Sequence, residues 1–320
     1  MDVAGLVPGA SEGKGLGNQF LDDLRQADVF IHIVDSSGTT NEEGKPAVNH
    51  DPSKDILFLE NELNKWFYNI MMKAWKGFVK KIDQEEGGSF SEAISKQFSG
   101  LKVKEEHVKK VLSRLRLPEK PINWNEDQLF WFASELRTES KPTIIAANKI
   151  DLEKAYANYQ LLKMKFPGLI IIPCSADSEL ALREAAKKGL INYIPGERSF
   201  EITGELSDEQ REALSNIKES VLARIPEGTG VQEILNYAIF NFLKYIAVFP
   251  AGVNKLADSK GRILPDCFLL PSGSTALDFA YYLHTDFGNN FIKAIDARTK
   301  KILGKNHELR HRDALEIVTR

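Results

Sequence analysis

The sequence predicts an α/β domain on a parallel sheet, interrupted by a helical insertion and followed by a small α+β domain. Three observations carry this reading. Short, mostly apolar, β-branched runs at 29–35, 143–148 and 169–175 are separated by helical patterns, as parallel strands buried on both faces require. The first two are separated by about a hundred residues rich in apolar positions at helical spacing. From Pro265 onward, short strand-like runs surround one helical segment.

In chain order, Gly5, Gly9, Gly13, Gly15 and Gly17 make a glycine-dense start, and Phe20, Leu21 and Leu24 form a helical pattern ending near Ala27. After the first strand, Leu59, Leu63, Trp66 and Ile70 recur at spacings of four, three and four, the seam of an amphipathic helix that Phe78 and Ile82 continue. Gly87-Gly88 breaks the pattern; Ile94, Phe98 and Leu101 restart it, followed by Val108, Val111, Leu112 and Leu115. Two arms about a polar turn read as a helical hairpin of coiled-coil type. A second helical region covers 178–246, with Ser207/Gln210 and Thr229/Gln232 both fitting the capping box. Pro250 and Gly252 mark a boundary, after which strands are expected at 266–270, 291–295, 301–303 and 314–318, with a helix through Leu283. The expected domains are 1–54 with 140–246, an insertion at 55–139, and a C-terminal domain at 247–320.

With 320 residues, 42% hydrophobic and 27% charged, the chain can bury cores without disulfide or metal staples. A net charge of −3 argues against a generally basic nucleic-acid binder, and there is no DNA-specific signal, though a local basic face remains open. Cys174 and Cys267 sit in separate apolar runs and read as buried small hydrophobes in a reducing cytosol. His32 reads as a packed or hydrogen-bonded core residue. The longest apolar stretch, 239–248, is interrupted by Asn241 and Lys244 and is too short for a bilayer. The N-terminus lacks the features of a signal peptide, so the expected location is cytoplasmic, without a membrane partner.

The strongest chemical signal is Asn148-Lys149-Ile150-Asp151 at a strand end, where open α/β sheets bind ligands. An Asp there can accept both N1–H and the 2-amine of guanine, whereas adenine offers N1 as an acceptor and has no 2-amino group. Asn148 would reach the base's Hoogsteen edge or brace the site, and the Lys149 stem could lie against the base plane. Ser175-Ala176 closes the next strand, where a backbone N–H could meet the guanine O6; for Ser175 alone, a helix cap is the plain alternative.

A second signal is Asp2-Val3-Ala4-Gly5. In phosphate-hydrolysing switches a D-x-x-G turn places an Asp near Mg²⁺ and a Gly N–H at the γ-phosphate. The longer run Asp2-Val3-Ala4-Gly5-Leu6-Val7-Pro8-Gly9-Ala10, with Gly13, Gly15-Leu16-Gly17 and Phe20-Leu21, resembles the switch II signature of the Obg family. With N-K-I-D, S-A, the hairpin and the C-terminal domain, the whole chain is similar to its YchF branch. The resemblance implies a P-loop NTPase fold of the Ras-like G-domain type, Mg²⁺ with GTP, and GTP hydrolysis by the full-length parent. Leu6 stands where Ras-like enzymes place a catalytic Gln, so the resemblance names no certain catalytic residue.

The G-x-x-x-x-G-K-[ST] loop such a site needs is absent from the chain; Gly9–Lys14 comes nearest but is one residue short and lacks the Ser/Thr. The family places that loop upstream of D-x-x-G, so the chain is expected to be truncated before it, leaving an incomplete sheet with an unpaired apolar edge beside 29–35. The run from Leu270-Pro271-Ser272-Gly273-Ser274 to Asp286-Phe287-Gly288 resembles a TGS domain, a β-grasp module. Residues 291–320 carry eight Lys/Arg against four Asp/Glu, which suits RNA phosphates. The expected partners are GTP/GDP and, through the TGS domain and hairpin, ribosome or RNA. The alternative is a non-catalytic RNA- or ribosome-binding protein that has lost nucleotide turnover.

Overall fold

Strand β1 spans Phe30–Asp35 in the N-terminal part of the chain. The computed structural model describes residues 24–84, 89–253, 256, 262–263 and 266–320, divided into two compact units, Met1–Leu235 and Asn236–Arg320. Asp2, Gly5 and Leu6, the Gly9–Gly17 run and the Gly87-Gly88 turn lie outside the described residues.

In the first unit β1 is followed by α1 (Ser53–Gln84), α2 (Phe90–Gln97), α3 (Glu105–Arg114) and α4 (Glu126–Ser140). Then come β2 (Thr143–Asn148), α5 (Ala155–Lys165), β3 (Ile170–Pro173) and α6 (Ala176–Lys187). The short strands β4 (Ile191–Asn192) and β5 (Glu201–Ile202), α7 (Asp208–Ile217) and α8 (Val231–Asn236) complete the order. β1, β2 and β3 form a parallel sheet in that order. The helical crossovers that parallel pairing demands are what put helices between these strands in the sequence. Among the described residues β1 is the outer strand of this sheet, with Ile31 39% and Ile33 66% exposed.

His32 sits mid-β1, half-buried, and its Nδ1 is sealed from solvent with no hydrogen-bond partner among the described residues. It is packed as expected, but that nitrogen is unpaired. Burial pulls the imidazole down to about 4. In the unfolded chain it takes up a proton near 6.5, so between these values the unfolded state binds more protons. Stability is therefore full above about pH 6.5 and falls as pH drops towards 4, by at most roughly 3 kcal/mol from this residue. Urea midpoints at about pH 7 and pH 4.5 for the wild type and His32→Val should show the smaller acid loss in the variant; parallel losses would refute the assignment.

The insertion differs from a two-armed hairpin. α1 runs unbroken and buries Leu63, Trp66, Phe67, Met71, Trp75 and Val79, but the return is split. Ser99–Leu101 forms a 3₁₀ turn, Lys102 takes a left-handed φ of 58°, and α3 ends before Leu115. The helix lying along α1 is α4, started by a reciprocal Asn125/Gln128 capping box at 2.9 Å each way. Arg137 meets Glu60 and Asn64, Phe130 meets Tyr68, and Trp124 meets Trp75, so the two helices run antiparallel. A cluster of four helices, rather than a two-stranded coiled coil, buries the shared core.

The region 178–246 is also less helical than its sequence suggested. β4 and β5 form an antiparallel pair inside it. Ser207 does cap α7 with Gln210, but the Thr229 hydroxyl donates to Glu179 at 2.6 Å and α8 starts only at Val231. Thr229 stands one residue too early to cap it.

The second unit contains β6 (Tyr245–Pro250), β7 (Phe268–Pro271), α9 (Ala276–Leu283), α10 (Thr285–Asn289), β8 (Phe291–Asp296), β9 (Ile302–Leu303) and β10 (Asp313–Thr319). The mixed sheet runs β7-β6-β10-β8-β9, with β10 parallel to β6 and antiparallel to β8. α9, capped by Thr275 and Asp278, buries Ala276 and Phe279 in its core. β6 corrects the expectation that helix reaches residue 246. Lys244, at φ 53°, ends the helical turn, and Ile246, Ala247 and Val248 enter the sheet. Cys174 is buried as expected, whereas Cys267 is exposed because it precedes β7 rather than lying within it. Among the described residues no helix is long and apolar enough to cross a membrane.

Candidate functional site

The register of the parallel sheet aligns Asp35 with Asn148, and Ala147 with Pro173. Three strand ends therefore open at one level, and the candidate site is built on the loops that leave them.

After β2 the chain turns sharply. Lys149 adopts a left-handed φ of 63°, Ile150 is buried and its N–H donates to the Cys174 carbonyl at 3.2 Å, and the Leu152 N–H returns to the Lys149 carbonyl. Ile150 thus anchors the turn in the core, while Asp151 is left half-buried at the rim. Asp151 makes no hydrogen bond or ion pair among the described residues.

Asn148 braces the neighbouring loop. Its Oδ1 accepts from the Ala176 N–H at 3.0 Å and lies 3.7 Å from Cys174 Sγ. The same bond occupies one of the two backbone N–H groups of Ser175-Ala176, either of which could have met a guanine O6. The other, on Ser175, donates to the Thr229 carbonyl at 3.0 Å. The Ser175 side chain is buried and caps α6 by accepting from the Ser178 N–H, the plain alternative weighed for it. The Thr229 turn lies close against β3: a Cβ on Gly230, at φ 78°, would come 1.9 Å from the Pro173 carbonyl oxygen, so only glycine fits there.

Sequence reasoning singled out Lys149 but missed its partner. Lys149 Nζ donates to Asp35 Oδ2 at 2.8 Å, across the end of β1. Asp35 also accepts from the Ser37 N–H and from the hydroxyls of Ser37, Thr39 and Thr40. Burial pushes the Asp35 carboxyl up, but the Lys149 ammonium and these three hydroxyls outweigh it and hold the carboxyl well below the usual carboxylate range. The available signal was an acidic residue ending a buried strand. A second missed group is Glu179, buried on α6 and bonded to Thr229, Arg183 and Tyr193, which ties the Thr229 turn and β4 to that helix.

Asn148, Lys149, Asp151, Ser175 and Ala176 are thus gathered on two adjacent loops. Asp2, Gly5 and Leu6, expected for Mg²⁺, γ-phosphate and the water-positioning place, lie outside the described residues.

Residues 146–252 match the family described as "Obg-like GTPase YGR210-like, G4 motif-containing domain", and residues 254–319 match the TGS domain family. A GTP-binding protein of Methanocaldococcus jannaschii is 46% identical over 100% of this chain and 80% of its own length. The crystal structure of a GTP-binding protein from Pyrococcus horikoshii is similar at a TM-score of 0.67 and 42% identity, covering 94% of this chain and 81% of that one. A protein of Buchnera aphidicola named ribosome-binding ATPase YchF is 27% identical over 92% of this chain and 68% of its own length.

Proposed function

The chain belongs to the Obg/YchF-like GTPases that carry a C-terminal TGS domain, and from that premise we propose that Asp151 selects guanine in a GTP-dependent switch acting on ribosome or RNA. The observation that carries the base assignment is the half-buried Asp151 carboxylate, without a described partner, on a turn fixed between β2 and β3. Both of its oxygens can accept, one from N1–H and one from the 2-amine of guanine. Rotation of the Asn148 carboxamide towards the Hoogsteen edge frees the Ala176 N–H for O6, exchanging one hydrogen bond for another. Lys149 keeps its ammonium on Asp35 and lays its stem along the base. Asp2 serves Mg²⁺ indirectly and Gly5 the γ-phosphate, with Leu6 leaving water positioning to another group. When bound with the triphosphate, Mg²⁺ would supply charge neutralisation there.

An adenine reading has its own support, since the Buchnera relative is named an ATPase. Competition against a fluorescent guanine nucleotide, measured on a form of the protein that carries the phosphate-binding loop, decides between them. GTP and GDP are expected to displace it at least roughly a hundredfold better than ATP, because an adenine ring leaves the Asp151 carboxylate unpaired. Equal displacement by ATP would refute guanine selection.

For the partner, Arg298, Lys300, Lys301, Lys305, Arg310 and Arg312 stand exposed on the TGS unit, and the Buchnera relative's name is ribosome-binding. Binding to purified ribosomes should weaken steeply as salt rises from about 50 to 200 mM, and more weakly in a Lys300→Ala/Lys301→Ala variant. Salt-independent binding, or an unchanged salt slope in the variant, would remove the basic face from the account.

A further inference from the structure

Away from the base pocket, we propose that Glu42, His50 and Asp55 bind one divalent transition-metal ion of the zinc class, which fastens the loop after β1 to the first turn of α1. The donors come from three places in the chain. Glu42 lies in the turn closed by the Thr40–Pro46 bridge, His50 at the end of the loop, and Asp55 in α1. Their ligand atoms all lie within 4.8 Å of one another. His50 Nε2 is 2.6 Å from Asp55 Oδ1 and 3.6 Å from Glu42 Oε2.

A tetrahedral zinc ion with bonds of about 2.0–2.2 Å separates its ligand atoms by roughly 3.3–3.6 Å, a spacing these distances bracket. The His50–Asp55 contact has to open by about 1 Å as the metal comes between them, the neutral imidazole ligating through Nε2 with its proton on Nδ1. The His50 and Asp55 side chains are 8% and 12% exposed, and Glu42 is 39% exposed. The set is enclosed on one side and open to an entering ion on the other.

Charge and backbone both favour a cation here. Two carboxylates flank one imidazole, and burial holds the Asp55 carboxyl above its ordinary value; the His50 hydrogen bond opposes this, while Glu42 and Asp35 add to it. A dication answers that excess. The imidazole nitrogen selects zinc-like ions over Mg²⁺, which prefers an all-oxygen shell. His50 is set in place by the main chain. Its N–H donates to the Gly38 carbonyl at 3.1 Å, and Gly38 itself, at φ 69°, passes so near that a Cβ would lie 2.4 Å from the His50 carbonyl oxygen. The same loop carries Ser37, Thr39 and Thr40, the hydroxyls around Asp35, so the ion would also steady the Lys149–Asp35 pair.

Titration of the tag-free chain with Co²⁺ and then Zn²⁺ tests this. One equivalent of Co²⁺ should give the visible bands of a four-coordinate site, displaced by Zn²⁺ and unaffected by a large excess of Mg²⁺. His50→Ala and, separately, Glu42→Ala should each weaken binding at least about tenfold. Glu42 is exposed and outside every helix and strand, so its variant stays informative if His50→Ala fails to fold. Failure of the wild type to bind one saturable equivalent, or equal binding by the wild type and Glu42→Ala, overturns the proposal.

Discussion

Asp151→Asn is expected to move the base preference of this protein from guanine to xanthine. The carboxylate offers two acceptors to the two donors on guanine's N1–C2 edge. A carboxamide replaces one acceptor by a donor, which then faces the guanine amine but suits the 2-oxo group of xanthine. Sites that hydrogen-bond a substrate group reject the mismatched ligand by factors on the order of 10⁴–10⁵. GTP affinity should fall and XTP affinity rise by about a hundredfold or more. Asp151 has no described partner in the fold, and surface changes of this kind stay within about 0.5 kcal/mol. The thermal midpoint should therefore not move, which separates loss of recognition from loss of structure. The measurement is competition by GTP and XTP against a labelled nucleotide, on a form of the protein extended to carry the phosphate-binding loop. An unchanged ratio between the two would take Asp151 out of the pocket.

Phe132→Ala should cost roughly 3–5 kcal/mol of stability. The Phe132 ring is fully buried and packs edge-on against Trp124 at 5.0 Å, with Phe90 and Trp75 at 6.3 and 6.4 Å. It joins α4 to α1 and α2 at once, so its removal leaves a cavity that three elements must close together. The four tryptophans, Trp66, Trp75, Trp124 and Trp131, all belong to this insertion, so intrinsic fluorescence during urea unfolding reports on it selectively. The midpoint should drop well below that of the wild type. A cost under about 1 kcal/mol would mean that the aromatic cluster is not what holds the insertion together.

Local periodicity and strand-end chemistry were legible in the sequence. The β-branched runs became β1, β2 and β3, and Asn148-Lys149-Ile150-Asp151 lies at the end of β2. What stayed hidden was set by partners distant in the chain. Nothing near Asp35 announces that Lys149, 114 positions later, will neutralise it. Nothing near Ser175 shows that its N–H will be taken by the Thr229 carbonyl. The split return of the insertion turned on one left-handed residue, Lys102, inside a pattern whose apolar spacing continues on both sides. The apolar run 239–248 crosses from a helical turn into β6, and apolar runs that short do not distinguish helix from strand.

β6 also has a consequence for dissecting the protein. The family match to the G4-containing segment extends to residue 252 and the TGS match starts at 254, yet β6 hydrogen-bonds β7 on one side and β10 on the other. A fragment cut at the family border would strip β7 of its only described neighbour and bare one side of β10, giving two raw strand edges of the sort that recruit other chains. The compact unit that keeps β6 with its sheet starts at Asn236. An aggregating 254–320 fragment would then report where the scissors fell, and would say nothing about whether the module can stand alone.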